Sequence, residues 1–114
     1  MRTAYFLSKD ETTSQNLVSG ALSYTTTFTR ARKLEQIVIH SSVAITETVT
    51  ITLDSASGAN YDTVIQEVVL VAEQDFVYRP QGIINLQSGD KIKVQCTNAN
   101  TTGVVYCTIC TSEI

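Results

Sequence analysis

Asp90-Lys91-Ile92-Lys93-Val94-Gln95-Cys96-Thr97 and Val104-Val105-Tyr106-Cys107-Thr108-Ile109-Cys110-Thr111-Ser112 are the two runs whose reading decides the fold. In the first, Ile92, Val94 and Cys96 alternate with Lys91, Lys93, Gln95 and Thr97. In the second, Val105, Cys107 and Ile109 alternate with Val104, Tyr106, Thr108 and Cys110. A period of two is that of a half-buried strand. Asn98-Ala99-Asn100-Thr101-Thr102-Gly103 between them has turn chemistry, so the pair is expected to form a hairpin. With Cys96 opposite Val105, Val94 meets Cys107 and Ile92 meets Ile109, which makes one face wholly apolar. Such a face needs a second layer to cover it.

Working back toward the N-terminus, Thr46 to Leu53 repeats the pattern, with Val49, Ile51 and Leu53 inward and Thr48, Thr50 and Thr52 outward. Lys33 to His40 contains Ile37-Val38-Ile39, expected to be a central strand covered on both faces. A helix over Ala31–Ile39 is rejected because β-branched residues crowd its end and no cap closes it. Asp54–Asn60 is a small-residue loop. In Tyr61–Val71 the adjacent Gln66 and Glu67 predict a break or bulge. Ala72-Glu73-Gln74-Asp75 is expected to turn the chain into Phe76-Val77-Tyr78, which Pro80 closes, and Gln87-Ser88-Gly89-Asp90 to make a tight turn. Seven to nine short strands at this spacing predict an all-β fold, a two-sheet antiparallel β-sandwich of jelly-roll type over residues 30–114. Residues 1–29 are expected to be an extended N-terminal arm with the first strand or strands. Ser8–Asn16 has no apolar residue and reads as an exposed loop. Leu17 to Phe28 resumes a strand-like pattern bent at Gly20.

At 114 residues the chain is one domain, long enough to bury a core without a metal or disulfide. A net charge of −3 and a sequence pI near 4.9 argue against a nucleic-acid or anionic-membrane binder. The local exception, Arg30-Ala31-Arg32-Lys33, is too short for a groove-tracking stripe. No apolar run approaches the roughly 20 residues of a membrane span, and no secretion signal is recognised, so synthesis in a reducing cytoplasm is expected. The three cysteines are then free thiols, with Cys96 and Cys107 inward and Cys110 outward; a Cys96–Cys107 bridge across the hairpin is the alternative.

Chemistry-bearing constellations are thin. His40 is the only histidine, and Ser41 and Ser42 are adjacent to it only in sequence, whereas nucleophilic catalysis needs nucleophile, base and orienting group in spatial reach. The carboxylates are scattered, so no acid–base pair is specified. Asp54, Asn60 and Asp62 flank one loop and could offer oxygens to Ca²⁺, but two carboxylates at this spacing are not a calcium loop. Asn100-Thr101-Thr102 matches a glycosylation acceptor without a secretion signal to support it. Tyr5, Tyr24, Tyr61, Tyr78 and Tyr106 could line a glycan-binding face, or seal strand edges with their hydroxyls in water. No enzyme, cofactor or metal is expected.

As a set, Arg32–Ser42, Val49–Ser55 with Gly58–Val64, Tyr78-Arg79-Pro80 and Leu86–Val94 resemble small virion proteins of tailed bacteriophages. The resemblance implies a non-enzymatic structural protein that decorates or cements a capsid, or a tail or neck component, located in the virion. The implied partners are the major capsid protein or other virion proteins, with a homo-oligomeric state. The first thirty residues lie outside the resemblance and would be adapted to the neighbour. Tyr5, Phe6, Leu7, Leu17, Val18 and Leu22 are accordingly the candidate interface, together with an edge of the sandwich.

Overall fold

A computed structural model describes residues 8–16, 22–96 and 103–113. Among them there is no α-helix, and the strands are β1 (Ser8–Asn16), β2 (Leu22–Thr27), β3 (Arg32–Asp54), β4 (Thr63–Tyr78), β5 (Asn85–Leu86), β6 (Lys91–Cys96) and β7 (Val104–Glu113). They form one antiparallel, seven-stranded sheet that does not close. The path through it is β1-β7-β3-β6-β2, with β4 and β5 added to β3.

The spine is β3, a single strand of 23 residues where Lys33–His40 and Thr46–Leu53 were expected to be separate. Along one edge it pairs first with β7, Ile37 opposite Ile109, and then with β6, Ile51 opposite Val94. Along its other edge runs β4, with Ile37 opposite Tyr78 and Ile51 opposite Gln66. A register shift between Leu34 and Gln36 changes which side chains point inward, so Leu34, Ile37 and Ile39 are all buried. Val38 is half-buried and His40 exposed, so this segment is covered on one face and not on both. The Thr46–Leu53 alternation stands as expected: Val49 and Ile51 are buried and Leu53 packs against the core.

The expected hairpin between Asp90–Thr97 and Val104–Ser112 does not form. Cys96 lies opposite Leu22 and Val49, and Cys107 opposite Thr13 and Ile39. Alternation specifies which face of a strand is buried but not which strand lies beside it. On β3, both β6 and β7 gain a neighbour on each side, which satisfies main-chain groups that a lone hairpin leaves to solvent. Their apolar rows still meet in one cluster with Leu22, Tyr24, Ile37, Ile39, Val49 and Ile51, as the inward assignment required.

Three further expectations are corrected. Ser8–Asn16 is β1, antiparallel to β7, rather than a loop. A strand at a sheet edge is held by main-chain hydrogen bonds, which form without apolar side chains. Ala72–Asp75 bends β4 without ending it: Ala72 takes φ 56°, the register with β3 shifts, and the same two strands continue paired beyond it. Cys110 is buried although it lies on the face opposite Cys107, with the Gln36 side chain against its sulfur. The bulge foreseen near Gln66 is present one residue earlier, since Ile51 pairs with Gln66 and Thr52 with Val64, leaving Ile65 unpaired. The Gly20 bend and the Asn98–Thr102 turn lie outside the described residues.

Gly103 leads into β7 with φ 98°, and a Cβ built there would sit 2.7 Å from Val43 Cγ2 and 2.9 Å from Ser42 Oγ. Ser42 Oγ already accepts the Val104 N–H at 2.9 Å. Gly103→Ala should therefore cost about 2 kcal/mol in urea denaturation, combining a left-handed backbone with an overpacked contact.

Candidate interaction surface

Among the described residues four strands have a single partner, the two-residue β5 and the longer β1, β2 and β4, and they are unequal. β1, 9 residues long, carries Lys9, Asp10 and Glu11 and a register shift, features that discourage further pairing, and β2, 6 residues long, is outward only at Ser23, Thr25 and Thr27. β4 is 16 residues long, pairs among the described residues only with β3, and has no proline, glycine, lysine or arginine, its charges being Glu67, Glu73 and Asp75. Its inward side chains Ile65, Val68, Phe76 and Tyr78 pack against the core and Leu70 is buried. Its outward side chains Val64, Val69, Val71 and Val77 are 58%, 65%, 64% and 45% exposed. On that face Val69 and Val71 stand side by side between the exposed Glu67 and Glu73, a short apolar pair on an edge with no second partner among the described residues, which marks it as a contact surface. The sequence signal was the unbroken Val68-Val69-Leu70-Val71, in which both faces of a strand are apolar.

Near the ends of β4, Ile65, Gln66, Phe76, Tyr78 and Arg79 line an open cleft of about 390 Å³. Arg79 Nε donates to Gln36 Oε1 at 3.2 Å across its rim. Burial raises the pKa of the Tyr78 hydroxyl.

His40 lies in a ladder of neighbours across the outer face, with Asp75 on β4 and Tyr106 on β7 directly opposite it. Its Nδ1 is 2.5 Å from Asp75 Oδ1, and its ring stacks on Tyr106 with centroids 6.0 Å apart. Ser41 is fully buried, and its Oγ accepts the Val43 N–H. Ser42 is engaged with Val104. The histidine thus meets a carboxylate and an aromatic ring, while the neighbouring serines are bonded elsewhere.

The remaining candidates disperse. Tyr5, Phe6, Leu7, Leu17 and Val18 lie outside the described residues, and Leu22 is a core residue, 2% exposed. Leu22 is thus occupied within its own chain and does not present a face to a neighbour. Tyr24 is buried, Tyr61 is exposed beside the 55–62 loop, and Tyr5 is outside the described residues, so the tyrosines share no face. Arg32 of the basic cluster is buried and its guanidinium bonds Thr111, while Arg30 pairs with Glu113 and Lys33 with Glu35. Asp62 Oδ1 accepts the Ser55 N–H at 2.8 Å, closing the loop between Asp54 and Asp62 on itself. Among the described residues no three His, Cys, Asp or Glu side chains gather as a metal site would require.

The three cysteines are free and buried. Burial, with Cys96 nearby, pushes the Cys107 thiol up to about 12 from an ordinary 9.0. Cys96 is raised as well, by burial first, against a hydrogen bond at the Leu22 backbone and with the Glu47 charge adding to it. A thiol whose folded pKa exceeds its unfolded one binds its proton more tightly in the folded state. Its contribution to stability is complete below pH 9 and is lost as pH rises toward 12. Urea titrations should show stability falling by up to about 1.4 kcal/mol per pH unit from Cys107 alone in that window, and Cys107→Ala should flatten the slope.

Together these features define an antiparallel β protein with a long edge strand, β4, that exposes valines to solvent. In three dimensions it is similar to the crystal structure of PirA, with a TM-score of 0.56 over 88% of this chain and 94% of that one, at 11% identity. That likeness concerns the fold alone. No protein-family model matches the sequence, and no curated protein matches it. Among the described residues no helix is long and apolar enough to cross a membrane.

Proposed function

We propose that the protein is a non-enzymatic structural subunit of a bacteriophage particle, a decoration protein of the capsid lattice whose contact edge is β4. In this reading the two halves of the bent sheet act as the layers of a β-sandwich. The observation that carries it is the exposed pair Val69 and Val71 on the edge of β4 that has no second partner among the described residues. Its location in a virion comes from the sequence resemblance. Residues 8–16 are engaged with β7, so the contact is assigned to β4 and not to a free arm. Weak contacts of this kind suffice where a lattice multiplies them.

Mass spectrometry of purified particles from the source of the sequence tests it. Copy numbers in the hundreds are expected; a handful would indicate tail or neck instead, and absence from the particle would overturn the proposal. His40→Ala should leave particle binding unchanged and shift stability by less than about 0.5 kcal/mol, as for other exposed side chains. A second reading, attachment to host glycans, is favoured by the exposed Tyr106 beside His40 and Asp75. It predicts sugar-dependent tyrosine fluorescence that Tyr106→Ala abolishes.

A further inference from the structure

We infer that the edge of β4 between Gln66 and Val71 pairs antiparallel with the same edge of a second copy, about a two-fold axis at Val69. This rests on β4 being the docking surface, and it names the occupant. The usable edge is bounded on both sides. The bulge at Ile65 interrupts one end, and the left-handed Ala72, whose N–H donates to Thr46 Oγ1 at 3.2 Å, interrupts the other. Only a short flat run remains, and nothing in Gln66-Glu67-Val68-Val69-Leu70-Val71 discourages pairing except one carboxylate.

Which partner fits follows from the side chains. In an antiparallel pair, residues directly opposite share a face. Centred on Val69, two copies set Val69 against itself and Glu67 against Val71 on the outer face, and Val68 against Leu70 on the inner one. The outer valines, 65% and 64% exposed in one chain, then form a continuous cluster across the axis with the two Glu67 carboxylates at its far ends. Centring one residue later sets Glu67 against Glu73, a like-charge pair. Centring one residue earlier sets Gln66 against Leu70 and brings the bulged Ile65 into the ladder. The strand is therefore complementary to itself in one register, which is the condition for an isologous two-fold contact. The sheet continues across the axis as β3-β4-β4-β3. So short a contact buries less than the roughly 800 Å² per partner of a standard interface, so the isolated dimer is expected to be micromolar or weaker.

Sedimentation velocity of the full chain, from micromolar to millimolar concentration, reads the association. Two lysine substitutions in the same valine row separate register from stickiness. Val69→Lys opposes itself across the axis and should weaken the dimer at least tenfold. Val71→Lys faces Glu67 of the second copy twice over and should tighten it by about threefold to tenfold. If hydrophobic contact alone were at work, both would weaken it, and that result would overturn the register. As a covalent check, Val69→Cys exposed to dissolved oxygen, which takes up the two electrons and two protons under copper catalysis, should give a disulfide-linked dimer, because opposite Cα atoms in an antiparallel pair lie within disulfide reach. Val64→Cys and Val77→Cys, exposed but outside the register, should not. The native thiols are buried and do not compete. A chain that stays monomeric throughout, with no Val69→Cys crosslink, overturns the inference. If particle binding still falls on Val69→Lys in that case, β4 remains the docking surface and only the identity of its occupant is wrong.

Discussion

Ile51→Ala should lower folding stability by roughly 3–5 kcal/mol, the upper part of the range for an isoleucine truncated in a core. Ile51 has no exposure and stands where the sheet is most constrained, with Val94 opposite on β6 and Gln66 opposite on β4. A void there has strands on both sides that are locked in register, so the surroundings cannot collapse into it. For a domain of this size the loss is a large share of a total of about 5–15 kcal/mol. Urea denaturation at fixed protein concentration, with the slope unchanged, would measure it. Val69→Ala is the control: its side chain is exposed, and its stability change should stay within about 0.5 kcal/mol. An Ile51→Ala cost below about 1 kcal/mol would mean that β3 does not pass through the core at this point.

Asp90→Ala should cost roughly 2–4 kcal/mol. Asp90 is buried, and its carboxylate accepts the Ala56 N–H through Oδ1 and the Gln87 N–H through Oδ2, both at 2.9 Å. It thereby ties the loop after β3 to the turn before β6. Its backbone carbonyl also accepts the Phe28 N–H at 2.9 Å, which holds the segment after β2 in place. Removing the carboxylate leaves two amide donors without their charged acceptor. Asp90→Asn retains one acceptor and should cost about half as much. Thermal denaturation of the pair orders the variants, and equal loss in both would mean that only one of the two bonds matters. The turn itself was legible, since Gly89 takes φ 93° as a tight turn requires and the Asp90 N–H donates to Gln87 O. The role of the carboxylate was not, because its partner Ala56 is distant in sequence.

The candidate surface was legible only in outline. An edge of the sheet was expected to serve as the contact, but the residues named for it were the apolar ones of the first segment. Leu22 among them is in the core, while the exposed valines of β4 lie in a segment whose alternation is irregular. An apolar residue on a strand looks the same in sequence whether the face above it is covered or open. Exposure is a property of what lies across from it.

Sequence alone determined that the backbone is extended and which side chains point inward: Ile92, Val94, Cys96, Val105, Cys107 and Ile109 are all buried, as their alternation required. It also located the turn at Gly89 and the bulge near Gln66, because both are set by a few adjacent residues. Tertiary structure decided who pairs with whom. It placed β6 and β7 on β3 instead of on each other, drew the polar Ser8–Asn16 into the sheet, covered Cys110 and left β4 as the open edge. Side-chain alternation is a local property that burial enforces residue by residue. Strand order is a choice among nearly equivalent main-chain ladders, and only packing of the whole chain separates them.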